Sequence, residues 1–148
     1  MDFIFDREQL EELNSTITLF KKFDRYKEHK RSEIYEHLEE PFKLKQYKTI
    51  KDEDGNVVAF ANWALFNMKS EKMYTEHLSI DRGSWNSGLR VWLIDIVCDK
   101  DTKKLMKWII NYFKKFLLVG ERINWLRLDD QFNIIRRSFK EKKAYHGQ

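Results

Sequence analysis

The sequence predicts an α+β fold in which helices pack on a mixed β-sheet. Three observations carry that expectation. A hairpin signal spans residues 44–66, a nearly continuous apolar strand follows at 90–98, and a strongly amphipathic helix then leads to another strand at 123–128. A strand–helix–strand unit after a hairpin implies a mixed sheet with helices packed on it.

Each element has its own warrant. From Asp6 to Phe23 the apolar residues Leu10, Leu13, Ile17 and Phe20 recur at three and four, an amphipathic helix capped by Asp6. A second helix is expected from Ser32, with Ile34, Tyr35 and Leu38 as its apolar face, stopping before Pro41. The stretch LKQYKTIK alternates, DEDGN supplies a turn, and VVAFANWALF resumes as a more buried strand. Residues 67–84 are polar and ambiguous. RVWLIDIVC (90–98) reads as a central strand covered on both faces. Asp99 and Asp101 then open the strongest helix, in which Leu105, Trp108, Ile109, Tyr112, Phe113, Phe116 and Leu117 follow the helical period up to Gly120. INWLRL (123–128) is a strand, and residues 132–139 are expected to form the last one.

At 148 residues the chain has the length of one domain, taken as residues 1–148, that can bury a core without staples. Apolar content is 42% and charged content 35%, but 15% of the residues are aromatic, and each ring buries a large area. Such a composition excludes a disordered chain. A lone cysteine, Cys98, excludes an internal disulfide framework and a Cys-rich zinc site, and its apolar strand disfavours a reactive thiolate. No apolar run approaches the roughly 20 residues of a membrane span, and the N-terminus carries acids where a signal peptide would be basic. A cytoplasmic protein is the expectation. The net charge of +4 is modest and interleaved with acids, so charge alone does not argue for nucleic acid.

Asp95 is the most informative residue. It interrupts a greasy strand, where an ionised carboxylate costs several kcal/mol unless paired. A structural ion pair and a functional site both satisfy that requirement. The four histidines, His29, His37, His77 and His146, show no metal-ligand spacing, which argues against zinc or iron. Taken alone, each reads as a surface residue, with His146 in the tail. Gly55, Gly83, Gly88, Gly120 and Gly147 are isolated, so phosphate-cradling loops are not expected. Lys103, Lys104, Lys107, Lys114 and Lys115 lie opposite the apolar stripe of the long helix, as a solvated face or a dock for an acidic protein. Trp85, Trp92, Trp108 and Trp125 read as core rather than as a base-stacking platform.

Two stretches together resemble a known family. NVVAFANWA (56–64) after a hairpin turn, followed by SWNSGLRVWLID (84–95), is similar to the RTX toxin-activating (haemolysin-activating) lysine-acyltransferases. That family has a Pro-Val-Ala-x-Cys-Ser-Trp-Ala strand and a Trp-Thr-Ser-Gly-Asp-Arg-x-Trp-Phe-Ile-Asp segment, with the spacing of Trp85 to Asp95 here. Lys45-Gln46-Tyr47 resembles its Asn-Gln-Tyr, and Leu126-Arg127-Leu128-Asp129 its Ile-Arg-Val-Asp.

The resemblance implies a fold like the GCN5-related acetyltransferases and no bound cofactor. Acyl carrier protein would bring the acyl group as a phosphopantetheine thioester, and the acceptor would be an internal lysine of a protoxin-like protein. It also implies a His and an Asp as catalytic residues, with Asp95 on the family's aspartate. The family's Leu-His-Arg segment followed by Trp-Pro has no match. Counting back from Tyr47 puts Tyr26-Lys27 nearest the histidine position, and His29 comes one helical turn later, so His29 with Asp95 is the expected pair. The imidazole would act as base or nucleophile, oriented by the aspartate. Ser87, Gly88, Arg90 and Arg127 are the expected substrate-binding residues. A homodimer is compatible with this reading. The rival expectation is a catalytically inactive member that binds a partner protein through the Lys-rich helix. A nucleic-acid role for Arg136, Arg137, Lys140, Lys142 and Lys143 is weaker than a solvated tail.

Overall fold

The computed structural model describes residues 5–144, so His146 lies outside the described residues. Helix α1 (Arg7–Phe20) begins where Asp6 accepts the backbone N–H of Gln9 at 2.8 Å, the cap expected from the sequence. Helix α2 (Arg31–Leu44) starts one residue before Ser32 and runs through Pro41, four residues past its expected end. Its start is set by Glu33, which accepts the Lys30 backbone N–H at 2.9 Å. Pro41 removes the N–H that would bond the His37 carbonyl. The helix continues because Leu38 and Phe42 are completely buried on either side of it. Lys45, at φ 56°, closes the helix in the left-handed region, which delays strand β1 (Tyr47–Lys51) by three residues relative to the alternation in the sequence.

β2 (Val57–Phe66) follows the turn in which Asp52 accepts the N–H groups of Asp54 and Asn56, both at 2.9 Å. The ambiguous stretch holds helix α3 (Met68–His77), capped by Asn67, and a single 3₁₀ turn at Arg82–Trp85. Its pattern is weak because the helix buries only Ser70 and Tyr74. β3 (Arg90–Cys98), α4 (Thr102–Phe116), β4 (Arg122–Leu128) and β5 (Ile134–Glu141) complete the chain.

The five strands lie in the order β1-β2-β3-β4-β5, with β3 and β4 parallel and the other pairs antiparallel. The α4 crossover produces the parallel pair. This is the α+β mixed sheet that the sequence predicted, consistent with an acyltransferase of the GCN5-related type. On one face α4 sets Leu105, Ile109 and Phe113 against Ala61, Trp63, Val91 and Leu93. On the other, α1 and α2 bury Leu13, Ile17, Leu38 and Phe42 with Phe60 and Val97. Beside them Tyr74, Trp85 and Trp92 pack on Ala64 and Phe66. Trp85 and Trp92 are buried, while Trp108 and Trp125 are half-buried against the core, so all four serve packing. No helix among the described residues is long and apolar enough to cross a membrane.

Candidate active site

Asp95 reaches its position through a register shift. β2 pairs Ala61 with Ile96 and Trp63 with Leu93, which leaves Asn62 alone opposite both Ile94 and Asp95. Val91 and Leu93 point into the α4 core, and strict alternation would send Asp95 there too. The extra residue of the bulge reverses the sequence of faces. Ile94 and Asp95 both line a cleft on the α2 side, and Val97 joins the α1/α2 core. Asn62, itself fully buried, takes over the interrupted ladder. Its Oδ1 accepts the Asp95 backbone N–H at 2.8 Å, and its Nδ2 donates to Asp95 Oδ2 at 2.9 Å.

The carboxylate is 8% exposed, and three side chains satisfy it: Asn62, Tyr26 and His37. His37 Nε2 lies 2.6 Å from Asp95 Oδ2, and the Tyr26 hydroxyl donates to Oδ1 at 3.3 Å. An ionised carboxylate can only accept, so Nε2 of His37 carries a proton. Nδ1 then keeps the lone pair in the neutral ring. Burial works against charge on both partners. For His37 the Asp95 charge and hydrogen bond outweigh it and hold the imidazole pKa above its ordinary 6.5. For Asp95 the His37 charge and the bonds from His37, Asn62 and Tyr26 outweigh it, and the carboxyl pKa falls below 3.8. The Tyr26 phenol is pushed far up by burial and by the Asp95 charge, so it stays protonated as a donor. The imidazole side chain remains 39% exposed. A buried anion thus holds an accessible base.

The cleft has a volume of about 260 Å³. Its outer wall is the β4–β5 turn, where Asp129 accepts the N–H groups of Gln131 and Asn133 at 2.9 and 2.8 Å. This turn holds Phe132 at φ 63°, a strained conformation for an aromatic residue. There its ring stands over the cleft, edge-on to Tyr26 at 5.8 Å and to His29 at 6.1 Å.

The imidazole paired with Asp95 is therefore that of His37, eight residues beyond His29. His29 lies in the loop before α2, lining the same cleft beside Tyr26 and Phe132 without bonding Asp95. The physical reason is that α2 begins after His29 and runs over the sheet, which carries His37 to the carboxylate. His37 was legible in part. It stands three residues after Ile34 and four before Pro41, next to the inward stripe of α2, so its ring, at the surface as its isolation suggested, also reaches Asp95. Tyr26, nearest the family's histidine position by count, does touch Asp95. Arg25 and Phe132 carried no motif, and Asn62 lay inside the NVVAFANWA stretch without being singled out.

The remaining expected residues lie elsewhere. Ser87 accepts the Asn67 N–H at 3.0 Å, and Gly88 packs so closely on the end of β2 that a Cβ would stand 2.5 Å from the Phe66 carbonyl. Arg90 pairs with Glu71 at 3.2 Å. These three tie β2, α3 and β3 together outside the cleft. Arg127 is exposed on β4, where its neighbour Leu128 lines the cleft instead. His77 is exposed, as expected.

The model of the RTX toxin acyltransferase family matches residues 6–137. The RTX-II toxin-activating lysine-acyltransferase ApxIIC of Actinobacillus pleuropneumoniae is 42% identical over 53 residues. That match covers 34% of this chain and 31% of the relative's length. With nearly the whole sheet and its cleft inside the matched region, the chain belongs to the RTX toxin acyltransferase family.

Proposed function

We propose that the protein is a toxin-activating acyltransferase that moves a fatty acyl group from the thioester of acyl carrier protein to an internal lysine of a protoxin-like acceptor. The observation that supports this most is the 2.6 Å pair of His37 and Asp95, opening on a cleft inside the region that matches the family. In this reading His37 is the general base. Nδ1 of the neutral ring takes a proton from the acceptor amine as nitrogen attacks the thioester carbonyl. Asp95 stabilises the resulting imidazolium. Collapse of the tetrahedral oxyanion forms the amide and expels the thiolate, which receives the proton back from His37. One C–N bond forms, one C–S bond breaks, and no oxidant is needed. A cytoplasmic location fits a carrier-protein donor.

Hexadecanoyl-loaded acyl carrier protein is incubated with this protein and an RTX protoxin, and acceptor lysines are read by mass spectrometry. Transfer that disappears in His37→Ala and Asp95→Ala is the expected result. Tight carrier or protoxin binding without transfer would replace the enzyme by a partner-binding module, for which the Lys-rich face of α4 is the surface at hand.

A further inference from the structure

Among the described residues, two buried side-chain polar atoms have no hydrogen-bond partner, Arg25 Nε and His29 Nδ1. Both residues line the cleft that holds His37 and Asp95. Buried polar groups in folded proteins are nearly always paired, and both orphans belong to residues that line one cleft, so a ligand seated there is the candidate partner. Arg25 is fixed in place. Its Nη2 donates to the carbonyls of Leu128 at 2.9 Å and Asp129 at 3.1 Å, and its guanidinium lies 5.4 Å from the centre of the Phe132 ring. The fork cannot turn away without breaking those contacts. Nε–H is a donor only, so whatever satisfies it presents an oxygen acceptor. His29 is held between the rings of Tyr26, at 5.6 Å, and Phe132, at 6.1 Å.

We infer that Arg25 and His29 form an acyl-oxygen subsite, which takes the carbonyl oxygen of the acyl group and holds it as negative charge develops. The choice of an acyl oxygen rests on the acyltransferase reading, whereas the demand for an acceptor at Arg25 does not. A preset cation beside the developing oxyanion is the arrangement that lowers barriers in acyl transfer. The carboxylates of Asp95 and Glu33 also line this cleft and disfavour an anionic ligand. A neutral carbonyl is therefore preferred over a carboxylate.

The test uses butyramide, an inert neutral carbonyl compound, and butyrate as its anionic counterpart. Binding is followed from the imidazole NMR signals of the intact protein. Butyramide is expected to perturb His29 and His37 and to bind better than butyrate. Arg25→Lys, which keeps the charge but loses the Nε–H, weakens butyramide binding by about 10- to 100-fold. Should Arg25→Lys fail to fold by circular dichroism, His29→Phe, which keeps the ring packing, gives the same loss. Wild-type affinity in the folded variant, or tighter binding of butyrate, would overturn the subsite. If butyramide binding depends on Arg25 while loaded carrier protein yields no transfer, the subsite stands and the acyltransferase reading falls.

Discussion

The two faces of the sheet solve opposite problems with the same strands. Facing α4, every inward residue of β2 and β3 is apolar, and Trp63 meets Phe113 edge-on at 5.2 Å. Facing α2, the same strands hold a buried carboxylate, Asp95, and a buried amide, Asn62, and the carboxylate also takes hydrogen bonds from the His37 imidazole and the Tyr26 phenol. One bulged residue on β3 separates the two arrangements. Both faces carry a full apolar core, and on the α2 side the polar groups sit beside that core at the cleft. The alternation of a strand is therefore not a fixed assignment of side chains to layers, because a single extra residue exchanges them.

Substitutions sharpen this contrast. His37→Ala removes the base and is expected to slow acyl transfer by about 10²–10⁴-fold in a single-turnover assay. Its loss of melting temperature is smaller than that of a core truncation, because Asn62 and Tyr26 still satisfy Asp95. Phe113→Ala, on the other face, does the reverse. It leaves a cavity and costs about 3–5 kcal/mol in denaturant unfolding, while the histidine titration of the remaining folded protein stays as in wild type. Equal effects of both variants on activity and stability would erase the distinction between the faces. Gly88→Ala forces a Cβ onto the Phe66 carbonyl and Asn67 nitrogen and should destabilise by about 1–3 kcal/mol, a cost measured by thermal unfolding.

A smaller effect tests the electrostatics. The His37 pKa is raised, so the neutral base accumulates only above pH 6.5, and transfer rises with pH through a midpoint above that value. The pair's contribution to folding from His37 is complete below pH 6.5 and is lost as pH climbs through the raised value. The contribution of Asp95 is present above its ordinary 3.8 and is lost as pH falls through the depressed value. A pH–rate profile and urea midpoints across the same range read both limbs.

The fold was legible because long periodic segments carry their own evidence. The stripe of α4, the alternation before the DEDGN turn and the greasy run at 90–98 each specify an element whatever surrounds them. Asp95 was legible for the same reason, since a charge in an apolar strand is an anomaly in one dimension. Its partner was not. His37 sits on a helix whose sequence pattern stops before Pro41, and burial of Leu38 and Phe42 carries that helix onward. Asn62 looks like an ordinary strand residue until the bulge places it across from Asp95. Family spacing points to the loop at residues 21–30, where Tyr26 supplies one contact and His29 lines the cleft. Ser87, Gly88 and Arg90 form part of a specific motif, yet that motif secures the junction of three elements.

The central claim is that Asp95 holds the imidazole of His37, and NMR titration of all four histidines in wild type and Asp95→Asn measures it directly. The His37 imidazole, assigned by its loss in His37→Ala, is expected to titrate above 6.5 and to fall when the carboxylate becomes an amide. A His37 titration at or below 6.5 that ignores Asp95→Asn, or a shift carried by His29 instead, would contradict it.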